Sequence, residues 1–402
     1  MIPSYLKKFK RLILISTLKP KAFLILFALF FSSLAFAATL TVTLLDGRIP
    51  SHNSNFCQNS DGEFVMNKDS TEDPYDVAFS TDGLQVFSVN HFQESVRSKG
   101  NLSMNRLSRP FDMTSVISDQ HTATGKPDMS CDAIDAFKVA NLAGASAEKL
   151  RNIVVADGGR KFFISNRVGR IMRFDLSTPN EFKTNTFVQS IVTHADMHGF
   201  ALSDDGTKLI TIRFTDSTPL VTTYQLPNPY DISSITQIHQ VDLTDIGVTL
   251  PEGTNFGRDI EFSKSGLAMF VLIQNTESDE NDTSDIYQFT LGKKFDVSTA
   301  TLIGNYDVNN FGNDPTGLGF PIGFTFSNDG MRMFIVDIAG NSETGIDQIN
   351  SYQLECPYGL VACVSDPTVS IDSQVKLANQ NISLNVTTIF KRFEWIKRNR
   401  DN

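Results

Sequence analysis

The chain of 402 residues is 41% hydrophobic and 20% charged, a globular composition that excludes wholesale disorder and collagen-like structure. Its 35 basic and 45 acidic residues give a net charge of −10, which argues against a nucleic-acid binder, since that needs a basic footprint. At ~150 residues per domain the length suggests two or three domains, although all-β domains run longer.

The first 37 residues carry Lys7, Lys8, Lys10, Arg11, Lys19 and Lys21 and no acid. After this basic region comes an apolar run, AFLILFALFFSSLAFA (22–37), closed by Ala35-Phe36-Ala37. These parts make a secretory signal peptide over residues 1–37, cut after Ala37. An uncleaved anchor is the alternative, but the run is short for a hydrocarbon core of ~30 Å. Next, residues 39–44 (TLTVTL) alternate polar and apolar, the pattern of a half-buried strand.

Four cysteines remain after cleavage: Cys57, Cys131, Cys356 and Cys363. An even number in an exported chain allows disulfides, with three pairings open. Cys356–Cys363 is local and is the first choice; Cys57–Cys131 then follows. Their spacing is not that of a zinc site.

One pattern then recurs five times: FSTDGLQVFSV (79–89), VADGGRKFFIS (155–165), LSDDGTKLITI (202–212), FSKSGLAMFVL (262–272) and FSNDGMRMFIV (326–336). A short polar turn ends in Gly83, Gly159, Gly206, Gly266 or Gly330 and apolar positions follow. Such a turn between apolar runs predicts a hairpin, because Gly tolerates the positive φ it needs. Asp82, Asp205 and Asp329 are read as turn formers, equivalent across the repeats, with neighbouring Ser hydroxyls able to bond the turn backbone. A second pattern trails each hairpin: LSRPFD (107–112), LSTPNE (176–181), LPNPYD (226–231), LGKKFD (291–296) and LECPYG (354–359). Each unit therefore holds a hairpin, a third strand, a Pro turn and a fourth strand. Repetition of such units without helices predicts an all-β fold, a β-propeller over residues 38–365. Five clear four-stranded blades are expected, with six or seven allowed by the long intervals. The strand at 39–44 is expected to complete the last blade, which removes open sheet edges. A sandwich is the alternative, but it requires no regular repeat.

Candidate ligands are sparse. His194, Asp196 and His198 cluster, yet histidines at i and i+4 lie ~13 Å apart along a strand, too far for one zinc ion. A polar loop is the plainer reading. Asp279, Asp282 and Asp285 lie in an acidic run between strands that could hold calcium, or be a solvated loop. No cofactor is predicted beyond that calcium candidate. Neither a G-x-S-x-G elbow nor H-E-x-x-H occurs, so no catalytic residue is named.

In the tail, residues 366–402, Ile382, Val386, Ile389, Phe393 and Ile396 are spaced as an amphipathic helix. The body from 38 to 365 holds 23 basic and 41 acidic residues, a charge of −18. That favours cationic or neutral partners over nucleic acid or anionic membranes.

The basic leader, the FSxDG-type repeats, the Cys-Pro-Tyr-Gly and Cys363 segment and the closing KRFEWIKRNRDN (391–402) together resemble exported bacterial propellers that carry a C-terminal autotransporter barrel. The resemblance implies a passenger domain displayed at the cell surface or outer membrane, or released, with the tail leading into the barrel pore. The barrel itself is not among the 402 residues, so the chain reads as a fragment or as the passenger alone, attached to a membrane only through that missing part. The expected function is binding of an extracellular protein, glycan or small molecule by an exported module, without enzymatic activity. The alternative is a periplasmic or secreted propeller enzyme, such as a lactonase-like hydrolase.

Overall fold

The computed structural model describes residues 42–44, 49–50, 72–92, 101–115, 150–166, 168–181, 184–195, 197–215, 218–250, 254–276, 283–308, 320–338 and 348–364. The expected signal peptide (1–37) and the expected tail helix (366–402), with Cys57, Cys131, Asp196, Asp279 and Asp282, lie outside them. The described residues all belong to one compact unit, Thr41–Asn402.

Two short strands come first, β1 (Val42–Leu44) and β2 (Ile49–Pro50). The first repeat forms β3 (Glu72–Phe79), β4 (Gln85–Phe92) and β5 (Asn101–Arg106). The second forms β6 (Leu150–Ala156), β7 (Lys161–Asn166), β8 (Arg170–Leu176) and β9 (Asn185–Val192). The third forms β10 (Met197–Leu202), β11 (Lys208–Thr215), β12 (Thr218–Gln225) and β13 (Thr236–Asp242). The fourth forms β14 (Thr254–Phe262), β15 (Ala268–Thr276), β16 (Thr283–Leu291) and β17 (Ala300–Asp307). The fifth forms β18 (Phe320–Phe326), β19 (Arg332–Ile338) and β20 (Gln348–Leu354). Each repeat is one antiparallel meander, and the last is completed by β1, which pairs β20 with Val42 opposite Leu354.

The fold is an all-β propeller arrangement. Four sheets reach four strands or more, while the first has three among the described residues. The expectation of five clear four-stranded blades is thus corrected to four: the stretch after Ser115, where a fourth strand of the first sheet would fall, lies outside the described residues. Helical structure among the described residues is confined to single 3-10 turns such as Val297–Thr299, and among these residues no helix is long and apolar enough to cross a membrane.

A lone four-stranded sheet cannot cover both its faces, and the repeat solves this by stacking. Val89 and Met104 of the first sheet pack on Phe162 and Ile164 of the second. Phe163 of the second meets Phe200 of the third, Ile212 of the third meets Val271 of the fourth, and Phe270 of the fourth meets Phe324 of the fifth. The circle closes where Phe334 and Ile349 of the fifth sheet pack on Val77 and Val86 of the first. Burying one such Phe stabilises by about 1.5–3 kcal/mol. The second strand β7 is almost wholly buried, whereas the outer β17 alternates half-buried and exposed positions.

Within each blade the two sequence patterns dock on each other. Gly206 has φ +66° and its N–H donates to the Ser203 carbonyl at 2.8 Å. The Tyr230 N–H then donates to the Gly206 carbonyl at 2.7 Å, and its ring covers the glycine so closely that a Cβ there would lie 2.6 Å from it. Phe111, Phe295 and Tyr358 cover Gly83, Gly266 and Gly330 in the same way, and Asn180 covers Gly159. All five covering residues have positive φ themselves. The following Asp caps the next turn: Asp231 Oδ1 accepts from Ser233 N at 3.0 Å, as Asp112 does from Thr114 N. Cations also cross between sheets to these turns, with Arg332 Nη1 donating to the Phe111 carbonyl at 2.6 Å and Lys208 Nζ to that of Phe295 at 3.2 Å. Cys356 and Cys363 are joined in a disulfide that closes the last Pro turn.

Candidate functional site

The inner strands β3, β6, β10, β14 and β18 contact one another in sequence around a central axis. Each carries an irregularity in its pairing at the same place, for example between Pro74 and Asp76 or between Gly257 and Asp259. Counted back seven residues from the turn glycine, the five strands present Asp76, Asn152, Gly199, Asp259 and Gly323. This layer plugs the axis. Asp76 Oδ2 accepts from the Ile153 N–H at 2.9 Å and so ties the first sheet to the second. Asp259 Oδ2 accepts from the Phe324 N–H at 3.0 Å and ties the fourth to the fifth. Asn152 Nδ2 donates to Asp259 Oδ1 at 3.1 Å, reaching past the third sheet. Gly199 permits that reach, since a Cβ there would lie 2.7 Å from Asp259 Cα.

Two residues further along the same strands, on the same side of the pleat, lie Ala78, Val154, Ala201, Glu261 and Thr325. They line a cavity of about 560 Å³ on the axis. Its mouth is the ring of hairpin turns, with Thr81, Asp157, Asp204, Lys264 and Asn328 at equivalent positions. Glu261 is the one acid in the inner layer and keeps part of its surface on the cavity.

The electrostatics of the axis follow from burial. Desolvation pushes the Glu261 carboxyl well above the usual range, and the neighbouring Asp259 charge adds to this against hydrogen bonds from Thr325 and Phe262. Burial raises Asp259 to about 7, opposed by the N–H groups of Phe324 and Ile260. Asp76 is raised well above normal by burial and by Asp259. Three carboxyls held this close on the axis resist ionising together. Asp76 and Asp259 spend their oxygens on N–H donors across the sheet seams. Glu261 is the one of the three that faces open space.

These axial residues escaped the sequence reading. In three of the five repeats the residue seven positions before the turn glycine is Asp or Asn (Asp76, Asn152, Asp259), and in the other two it is Gly199 or Gly323. The turn residues that were singled out are brought together as described. Asp82, Asp205 and Asp329 each accept from the Ser hydroxyl two residues earlier at 2.6 Å and from a turn N–H at 3.0 Å. His194 hydrogen-bonds through Nε2 with the Tyr224 hydroxyl, and burial and Arg213 push it below its ordinary value. His198 stands in β10, its ring 6.1 Å from that of Phe256. Asp285 is half-buried and accepts from Asn305 Nδ2 at 2.9 Å. Among the described residues no three His, Cys, Asp or Glu side chains form a group that could hold a metal ion.

No family model matches the chain, and no curated protein matches it. Similar solved structures include two bacterial proteins each described as a "putative 6-phosphogluconolactonase". That of Bacteroides fragilis NCTC 9343 is 14% identical, with 78% of this chain and 91% of that one covered at a TM-score of 0.40. That of Bacteroides uniformis ATCC 8492 is 18% identical, with 68% of each chain covered at 0.34. Sqt1 from Chaetomium thermophilum is 10% identical, with 70% and 72% covered at 0.35. Likenesses at this level carry no argument about activity, and the fold stands on the sheet order and the packing between sheets.

Proposed function

We propose that the chain is an exported β-propeller binding module that takes a small polar ligand, such as a sugar or another neutral or cationic molecule, into its axial cavity. The observation that carries this reading is the cavity of about 560 Å³, within the size range of small-molecule sites, with Glu261 as the polar anchor among small apolar neighbours. The Glu261 carboxyl and the Thr325 hydroxyl are the polar groups of the inner layer that a ligand would meet. The charge of −18 on the body disfavours anionic partners at the acidic mouth. Export rests on the leader, and display in the manner of an autotransporter passenger rests on the resemblance of the leader, repeats and tail.

A thermal-shift screen of neutral and cationic sugars and small polar molecules tests the binding site. Ligands that stabilise the wild-type protein should lose that effect at least tenfold in Glu261→Ala. Ligands that stabilise both proteins equally would overturn the role of the cavity. Mass spectrometry of the protein from cells should find Ala38 at the mature N-terminus, and a retained Met1 overturns export.

The raised Glu261 carboxyl also favours a second reading, a hydrolase in which this group acts as general acid or base. Turnover of a lactone or ester by wild type that disappears in Glu261→Gln would select it.

A further inference from the structure

The axial cavity is polar on one side of its inner layer. Glu261 on β14 and Thr325 on β18 stand on neighbouring strands, while β3, β6 and β10 contribute Ala78, Val154 and Ala201. Three serines also line the cavity, Ser203, Ser263 and Ser327, but their hydroxyls are engaged inside the hairpin turns. Ser203 Oγ donates to Asp205 Oδ1 at 2.6 Å and accepts from the Lys208 N–H at 2.9 Å. Ser327 Oγ does the same with Asp329 and the Arg332 N–H. Ser263 Oγ lies 3.1 Å from Ser265 Oγ and accepts from the Ala268 N–H at 3.1 Å. A sugar carries hydroxyls all around its ring, and three of the five inner strands meet them with hydrocarbon side chains alone, which is costly. A ligand with one polar end and an apolar body fits this asymmetry better.

The charge of the polar end follows from Glu261. Its carboxyl accepts from the Thr325 hydroxyl and the Phe262 N–H, and the neighbouring charge is Asp259, another acid. None of the ion pairs among the described residues includes Glu261. Lys264 also lines the cavity but stands exposed at the mouth. A buried carboxylate without a counter-charge is costly, and a cation brought against it offsets that cost. An ammonium group has three N–H donors and no acceptor, while the two carboxylate oxygens and the Thr325 hydroxyl oxygen can all accept.

We infer that the axial cavity is a site for a primary amine with an apolar body, its ammonium group held by Glu261 and Thr325 and its hydrocarbon set against Ala78, Val154 and Ala201. This rests on the reading of the cavity as a small-molecule site and narrows it from polar ligands at large to alkylammonium ions. The charge of −18 on the body from 38 to 365 draws such cations toward the mouth and turns anions away.

Ligand-observed NMR titrations with hexylammonium, hexan-1-ol and hexanoate, which share an alkyl chain and differ in the head group, test it on the wild-type protein. Hexylammonium should bind about tenfold more tightly than the other two. Glu261→Gln keeps the size of the side chain and removes its charge, so it should weaken hexylammonium by about the same factor and leave hexan-1-ol unchanged. Hexylammonium that binds Glu261→Gln as it binds wild type is held elsewhere on the acidic surface, which overturns the inference. So does a neutral or anionic analogue that binds as tightly as the amine, or a response confined to sugars; where that binding is lost in Glu261→Ala, the cavity still stands as a small-molecule site. If no ligand responds to Glu261→Ala, both readings fall. If Glu261→Gln does not fold by circular dichroism, Thr325→Val decides: a severalfold loss of hexylammonium affinity supports the site, and unchanged affinity overturns it.

Discussion

Asp259 joins three strands at one carboxyl: its own β14 through the Ile260 N–H at 2.8 Å, β18 through Phe324, and β6 through Asn152. Such a group should leave a mark on the pH dependence of stability. Burial raises Asp76, Asp259 and Glu261 above ordinary carboxylate values. The folded chain therefore binds more protons than the unfolded chain once pH exceeds about 4, and stability falls as pH rises through about 7. Asp231 is lowered to about 2, first by the Ser233 hydroxyl, so its contribution is lost as pH drops from about 4 toward 2. Urea midpoints should accordingly be higher at about pH 5 than at pH 8. Asp259→Asn should flatten that slope, although it lowers stability throughout by setting an NH2 group against N–H donors. A wild-type midpoint that climbs from pH 5 to 8 would contradict the protonated axis. None of this was legible from the sequence. Asp76 and Asp259 look like ordinary strand-edge polar residues until the repeats are aligned backward from Gly83 and Gly266, and their burial depends on neighbours contributed by other sheets.

At the scale of elements, hairpin and Pro turn form one clamp. The sequence displayed both halves clearly, because Gly at a positive φ and Pro followed by an aromatic are local signals. Their docking was not legible, since 17 to 25 residues separate Gly from the Leu that opens the second pattern and contact is set by the third strand's length. The clamp makes a quantitative expectation. Gly206→Ala forces a Cβ into the Tyr230 ring and strains the turn, and should cost about 1–3 kcal/mol in urea denaturation. Tyr230→Ala removes the ring and also its hydroxyl's bond to the Asp204 carbonyl. Combined with Gly206→Ala, it should cost clearly less than the two single changes added. Strict additivity would mean that ring and glycine do not interact. The same reasoning explains why the second repeat departs from the others: Asn180 replaces the aromatic, and the glycine-rich Asp157-Gly158-Gly159 replaces the Ser-x-Asp-Gly turn.

For the whole molecule, the propeller and its closure by an N-terminal strand were readable because a repeat unit that cannot bury its own faces demands neighbours on both sides. The count of full blades was less so: the first unit also carries the second pattern (LSRPFD, 107–112), but the stretch after Ser115, where its fourth strand is expected, lies outside the described residues. The closing strand carries an expectation of its own. A chain lacking residues 42–50 leaves the outer edge of β20 unpaired, and an open edge recruits partners. Its melting temperature should drop by several degrees, and concentration-dependent dimers should appear in size-exclusion chromatography. A monomer of unchanged stability would show that β1 and β2 contribute nothing to the ring.

That pairing of residue 42 with residue 354 also fixes an order in time. The four sheets made of contiguous chain can form as soon as their own strands exist, each by local turns. The ring cannot shut until nearly the entire chain is present, and closing so long a loop costs about 5 kcal/mol of chain entropy that no local contact offsets. The slowest step of folding is thus the last one, when the first strand finds the last, and until then the molecule is an open arc with two exposed faces.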